Sequence, residues 1–395
     1  MRTIGVVTTG RSDYGIYLPV LRRIQKDPSL RLYLIVTGTH LSPEFGLTER
    51  TIEKDGFEIS ERVKMLLSSD APEGIAKSIG LGVIGFAQAY AHYRPDILLV
   101  LGDRFEMYSA VVASLPFKIA VAHIHGGEST EGLIDESIRH SVTKMSHLHF
   151  VSTEFYGKRV IQMGEEPWRV VVSGAPSLDN LDRIPLLSCE ELEKQYGVGL
   201  ENPFFLVTYH PVTLEYEQTE MQMRELLAVL AELDIAVIFT YPNPDTHSRL
   251  IIQMIQEFVA RRRRAKMLVN VGTQGYFSLM KHAAAMVGNS SSGIVEAASF
   301  KLPVVNIGNR QRGRVRSENV IDVGYNRVEI LEGLKKATSP EFLATLGNLV
   351  NPYGDGHAAE RIVDNLKKVT IDEQLLLKRF YDAGSIDANN ICRYG

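Results

Sequence analysis

Short apolar runs alternate along this chain with longer stretches in which apolar residues recur at helical spacing, and the alternation occurs twice. In the first half, residues 4–8, 32–37, 97–101, 119–123 and 149–152 read as buried strands, with helices predicted near 15–26, 74–93, 105–115, 136–147 and 154–163. Strand and helix in strict alternation call for a parallel sheet covered on both faces. A stretch richer in Pro, Ser and Asp, about 175–188, interrupts the pattern. The alternation then resumes with strands at 204–209, 236–241, 267–269, 286–288 and 304–307, separated by helices near 215–233, 246–263, 275–284 and 292–300. The economical reading is an α/β fold of two doubly wound, Rossmann-like domains facing one another across a central cleft, residues 1–176 and 188–365. Residues 370–395 are predicted to form a further helical stretch, broken at Gly384, that packs back on the first domain.

Composition narrows the function classes. A chain of 395 residues that is 45% hydrophobic can build two cores. Its net charge of −4 gives no basic footprint for nucleic acid, so a bound anion must be held by local groups. The arginine run at 261–264 ends a helical segment and reads as a solvated surface. Cys189 and Cys392 have no metal-ligand spacing and fit a reducing cytoplasm. No apolar run reaches the roughly 18 residues of a membrane span, and the N-terminus lacks the pattern of a signal peptide. A cytoplasmic protein with neither nucleic-acid nor membrane partner is expected.

Two local patterns resemble sites that their context argues against. Gly80-Leu81-Gly82-Val83-Ile84-Gly85 matches the dinucleotide fingerprint but lies inside a helical pattern and follows no strand, so it cannot form the turn that holds a pyrophosphate. The pairs His123/His125 and His147/His149 have the spacing that points both side chains to one face of a strand, yet neither has a clear third ligand.

The chemistry is expected where strands end. Gly288-Asn289-Ser290-Ser291-Ser292-Gly293 joins an apolar strand to a helix, which sets backbone N–H groups, hydroxyls and the positive end of a helix dipole at one point. Such a turn suits a phosphate, and Glu296, one turn further on, can accept from ribose hydroxyls. Other strand ends are equally polar. They include Gly10-Arg11-Ser12-Asp13-Tyr14, Gly102-Asp103-Arg104, His123-Ile124-His125-Gly126-Gly127-Glu128 with Asp135 to His140 shortly after, His210-Pro211-Val212-Thr213, and Tyr241-Pro242-Asn243.

These motifs, with Gly308-Asn309-Arg310-Gln311-Arg312-Gly313, resemble in order and over nearly the whole chain the hydrolysing UDP-N-acetylglucosamine 2-epimerases of the sialic-acid and capsule pathways. The resemblance implies a GT-B-like fold, assembly as a homodimer or homotetramer, and conversion of UDP-N-acetylglucosamine and water to UDP and N-acetylmannosamine without metal or redox cofactor. Position by position it implies acids at Asp103 and Asp135, phosphate-side residues at Arg11, His210, Ser290 and Ser291 with Ser292 beside them, a ribose carboxylate at Glu296, and nucleotide contacts at Arg104, Asn243 and Arg310. Many sialate-pathway relatives carry Glu where this chain has His125, so the acid/base role there falls either to His125 or to Glu128. Within the family the rival substrate is UDP-2,4-diacetamido-2,4,6-trideoxyglucose. Outside it, the rivals are a GT-B glycosyltransferase, a non-hydrolysing epimerase and a nucleotide-sugar sensor.

Overall fold

The computed structural model describes residues 1–67, 72–130, 134–181, 183–197, 203–242, 248–269 and 271–382. The chain divides into two compact units, the first from Met1–Glu128, Ile134–Asp179 and the chain from Gly354 onward, the second from Asn180–Tyr353 with Ser129 and Thr130.

The first unit holds a seven-stranded parallel sheet of β1 (Arg2–Thr8), β2 (Leu30–Thr37), β3 (Glu61–Val63), β4 (Ile97–Leu101), β5 (Ala120–Ile124), β6 (Leu148–Val151) and β7 (Val170–Val172), in the order β3-β2-β1-β4-β5-β6-β7. β4 is apolar along its whole length and β5 at every position but His123, and both are fully buried, as expected of a sheet covered on both faces. β3 and β7, absent from the sequence reading, are edge strands of three residues each, too short to carry a period. The glycine pattern at 80–85 lies within the helix Pro72–His92. A Cβ on Gly82 would stand 2.6 Å from Met65 Cε and 2.8 Å from Ser109 Cβ, so close packing rather than a phosphate explains that glycine.

Two expectations for the C-terminal part need correction. The helix Ala358–Lys368 buries Ala359, Ile362, Val363 and Leu366 in the first unit's core, so the second unit ends at Tyr353 and not at 365. Asp179 caps this helix, accepting from the backbone N–H groups of Ala358 and Ala359 at 2.8 Å each. In place of one helix from 370, the described tail forms the four-residue helix Glu373–Leu376. It is held because buried Arg169 donates to the carbonyls of Gln374 (2.8 Å), Leu375 (2.8 Å) and Leu377 (3.2 Å). Gly384 lies outside the described residues.

The second unit is a six-stranded parallel sheet, β8 (Phe204–Thr208), β9 (Ala236–Thr240), β10 (Ala265–Leu268), β11 (Ala285–Gly288), β12 (Val304–Ile307) and β13 (Val320–Val323), ordered β10-β9-β8-β11-β12-β13. Apolar clusters cover both of its faces. The helix predicted over 292–300 is broken into Ser292–Val295 and a 3₁₀ turn, Ala297–Phe300, with Glu296 at the joint. The helix predicted from 215 begins regularly only at Thr219, after a kink at Glu215 (φ −124°). Strand order reverses between β1 and β4 in one unit and between β8 and β11 in the other, the points where open α/β sheets bind ligands. Among the described residues no helix is long and apolar enough to cross a membrane.

Candidate active site

At the first switch point the chain leaves β1 through Thr9 and Gly10 into the helix Arg11–Lys26, with exposed Arg11 as its first residue. Beside it, β4 is followed by Gly102, whose left-handed backbone (φ 73°) turns the chain and presents Asp103. Asp103 forms an ion pair with Arg139, a residue only 1% exposed. Arg139 also donates to Glu136 (3.0 Å) and to the Glu128 carbonyl (2.9 Å). One buried cation therefore joins the end of β4, the loop after β5 and the helix Ile134–Met145, whose first turn carries half-buried Asp135. Arg104 pairs with buried Glu106 at 3.2 Å.

The histidines divide sharply. His123 is fully buried, with Nε2 2.7 Å from the Gly102 carbonyl; burial lowers its pKa to about 3, so the neutral ring donates to that carbonyl and braces the Asp103 turn. His147 accepts from the Val121 N–H at 3.0 Å, and His149 meets Glu165 at 2.9 Å. Neither i, i+2 pair converges on one point, and among the described residues no group of three or more His, Cys, Asp or Glu is placed to hold a metal. His125 differs from the others. Its backbone is left-handed (φ 65°), its Nδ1 lies 2.5 Å from Glu128 Oε1, and its buried Nε2 has no hydrogen-bond partner among the described residues. Glu128 Oε1 also accepts from Ser152 at 2.8 Å. The two alternatives for the second acid/base thus form one pair, in which the carboxylate orients the ring and leaves Nε2 as the presenting atom.

The second switch point uses different materials. Gly288 sits at φ 128°, and a Cβ there would fall 2.0 Å from the Thr208 carbonyl, so the turn after β11 tolerates only glycine. Asn289 and His210 exchange hydrogen bonds, Asn289 Oδ1 accepting from the His210 N–H (2.7 Å) and Asn289 Nδ2 donating to the His210 carbonyl (2.8 Å). Arg310 and Gln311 both donate to the Asn289 carbonyl, at 3.1 and 2.8 Å. Burial, aided by Arg310, pushes the His210 pKa well below the usual value, so its imidazole is neutral. The backbone N–H groups of Ser290 and Ser291 have no acceptor among the described residues, whereas those of Ser292, Gly293 and Ile294 are used internally. Ser290 and Glu296 are each 9% exposed. Asn243 lies outside the described residues.

Three contributors escaped the sequence reading. Arg139 stands one turn after Asp135 and Glu136, next to apolar Ile138 and Val142 on the buried side; a lone arginine in a helix's apolar phase is a signal that could have been used. Asn289 reads from the sequence as part of a loop, whereas it bridges the turns that follow β8 and β11. Tyr276, from the helix Gly272–His282, brings its hydroxyl to Thr208 (3.3 Å) and to the side chains of Ser290 and Ser292, and nothing local marks it.

Residues 22–367 match the family model described as UDP-N-acetylglucosamine 2-epimerase. The chain is 41% identical to the GDP/UDP-N,N′-diacetylbacillosamine 2-epimerase (hydrolyzing) of Campylobacter jejuni, over 96% of this chain and 99% of that one. It is 36% identical to the UDP-N,N′-diacetylbacillosamine 2-epimerase (hydrolyzing) of Legionella pneumophila, with the same coverage of 96% and 99%. The crystal structure of UDP-GlcNAc 2-epimerase from Neisseria meningitidis bound to UDP-GlcNAc superposes with a TM-score of 0.81 at 18% identity, covering 93% of this chain and 100% of that one. Fold and sequence together define the class as the hydrolysing UDP-sugar 2-epimerases, on a GT-B-like pair of α/β units. The chain belongs to the UDP-N-acetylglucosamine 2-epimerase family.

Proposed function

We propose that this epimerase acts on UDP-N,N′-diacetylbacillosamine, the 2,4-diacetamido-2,4,6-trideoxyglucose nucleotide, releasing UDP and the corresponding 2,4-diacetamido-2,4,6-trideoxymannose. The observation that carries this choice is the near full-length likeness, at 41% and 36% identity, to two enzymes named for that sugar. The second reading is UDP-N-acetylglucosamine with N-acetylmannosamine as product, favoured by the description of the family model.

The residues fit either sugar by one route. The hydrogen at C2 is not acidic, and its removal becomes feasible as the C1–O bond breaks and positive charge builds on the ring. Stabilising the departing diphosphate is therefore the larger task. The Ser290 and Ser291 amides and neutral His210 are suited to it as fixed donors, and the loss of one such donor typically costs about 10²- to 10³-fold in kcat. Exposed Arg11 is assigned to binding the diphosphate alike in substrate and transition state, so that its loss is read in KM. Glu296 is assigned the ribose hydroxyls, and Arg104 and Arg310 support the nucleotide. Asp103 faces the cationic ring and takes the C2 proton. UDP leaves with the C1–O electron pair, giving the 2-acetamidoglycal. Water then adds its oxygen at C1, giving up one proton to solvent, while the His125–Glu128 pair, with Asp135, delivers a proton to C2 from the opposite face.

Incubation of the protein with each UDP-sugar, followed by proton NMR, tests the proposal. The diacetamido substrate should be turned over with kcat/KM at least about tenfold above that for UDP-N-acetylglucosamine, the scale of discrimination that one pocket contact provides. The reverse ratio selects the second reading. A UDP-linked manno product, with no free UDP, would remove the hydrolytic assignment.

A further inference from the structure

We propose that Asp13 is the positioning residue of the first switch point, its buried carboxylate anchoring the strand-to-helix turn that presents Arg11. The inference rests on the reading above that Arg11 meets the substrate diphosphate.

Asp13 keeps its carboxylate inside the turn. It is 5% exposed and turned back into the turn, where Oδ2 accepts from the Thr9 N–H (2.7 Å) and Oδ1 from those of Gly10 (2.8 Å) and Tyr14 (2.9 Å). The Thr9 hydroxyl adds a longer contact to Oδ2 at 3.3 Å. Both carboxylate oxygens are therefore occupied by donors on either side of Arg11. The turn is also fixed from outside, since Thr39 donates to the Thr9 carbonyl at 3.0 Å and a Cβ on Gly10 would meet that same hydroxyl at 2.7 Å. Asparagine cannot substitute for this group. Whichever way its amide is placed, an NH₂ faces at least one backbone N–H that loses its acceptor, that of Thr9 on one side or those of Gly10 and Tyr14 on the other.

The anchor also carries a proton-dependent weakness. Burial, with the like charge of Glu106 adding to it, outweighs the backbone donors and Arg104 and raises the Asp13 pKa to about 6. The other ionisable groups facing it are Tyr17 on its own helix and His40 across Gly10; burial keeps the first protonated and the second, at about 4, neutral. Below about pH 6 the acid proton competes with the N–H donors for the same oxygens, and the turn loses part of its fixed geometry. The effect on stability has the opposite sign. A carboxyl raised from 3.8 contributes stability that is fully present below that value and lost as pH rises through about 6, so an acid-induced loss of substrate binding at this residue is not unfolding. The diphosphate of a UDP-sugar is esterified at both ends and does not titrate in this range.

The test measures KM and kcat for the UDP-sugar against pH in the wild type, Asp13→Asn and Arg11→Ala. The expected result is a KM raised about tenfold or more in both variants with kcat within about threefold, a rise of wild-type KM below about pH 6, and the absence of that rise in Asp13→Asn. If Arg11→Ala leaves KM unchanged, the diphosphate role of Arg11 fails and this inference falls with it. If Arg11→Ala raises KM and Asp13→Asn behaves as wild type, or lowers kcat alone, the inference fails and the role of Arg11 stands. Should Asp13→Asn not fold, the wild-type profile decides: a KM that stays flat between about pH 5 and 7 overturns the proposal.

Discussion

The two switch points have the same place in their sheets and almost opposite construction. At the β1/β4 end, the working groups are ionisable side chains tied to one another: Asp103 and Glu136 to Arg139, and His125 to Glu128. At the β8/β11 end, they are backbone amides, an asparagine bridge and an imidazole held neutral by burial. Each construction suits the task proposed for it. Proton transfer needs groups that can change protonation state, so only side chains in a tuned environment serve. Holding a leaving diphosphate needs dipoles that do not change as its charge grows, which a strained turn supplies without reorganisation. One site should therefore fail when charge is altered at constant shape, and the other when backbone shape is altered at constant charge.

The largest effect is expected at Asp103. Asp103→Asn keeps volume and a hydrogen-bonding group but removes the charge opposite Arg139, and kcat should fall by about 10²- to 10⁴-fold with the circular dichroism spectrum unchanged. A variant with near-normal turnover would reduce Asp103 to an ion-pair partner. The shape-sensitive counterpart is Gly288→Ala. A methyl group 2.0 Å from the Thr208 carbonyl, on a backbone at φ 128°, must push β11 and β8 apart. Denaturant unfolding should show a loss of about 3 kcal/mol or more, with UDP binding abolished or nearly so. A loss below about 1 kcal/mol would mean that the turn adapts and that its geometry is not the determinant.

His125 lies between these extremes. Its left-handed backbone (φ 65°) is one that asparagine tolerates better than alanine, so His125→Asn isolates loss of the proton-carrying ring from backbone strain. The rate should fall by about 10- to 100-fold if Nε2 carries a proton to or from the sugar, a modest general acid–base contribution. Calorimetric affinity for UDP should stay the same. An unchanged rate would transfer the role to Glu128 or Asp135.

Much of this was legible in the chain, for a physical reason. A parallel strand buried on both faces is a continuous apolar run, and the polar residues that end it are set off against it, so the turns at Arg11, Asp103, His125, His210 and Ser290 stand out. Long-range pairing leaves no such local trace. Nothing adjacent to His125 distinguishes a ring clamped by Glu128 from one that merely shares its loop, and Tyr276 reaches the serine turn from another helix. The described tail departs from the predicted helix for a related reason: the carbonyls of Gln374, Leu375 and Leu377 are captured by Arg169, some two hundred residues earlier in the chain. Helical spacing at 358–368 was visible in principle, but nothing in it tells which of two cores it enters.

The smallest expected effect is the sharpest test of the comparison. Ser290 is the residue a motif reading would rank first for phosphate binding, yet its hydroxyl is already engaged, accepting from the Ser292 N–H at 3.3 Å beside the Tyr276 hydroxyl. Its backbone N–H and that of Ser291 are the groups without acceptors among the described residues. If the turn binds through these amides, Ser290→Ala removes a supporting hydroxyl and leaves the donors in place. It also releases the Ser292 amide, which partly offsets the loss. The UDP dissociation constant should then change by no more than about threefold, near the lower limit of what one neutral hydrogen bond contributes. A weakening beyond about tenfold would show that the serine hydroxyl is itself a principal donor to the diphosphate, and the second site would then depend on its side chains as much as the first.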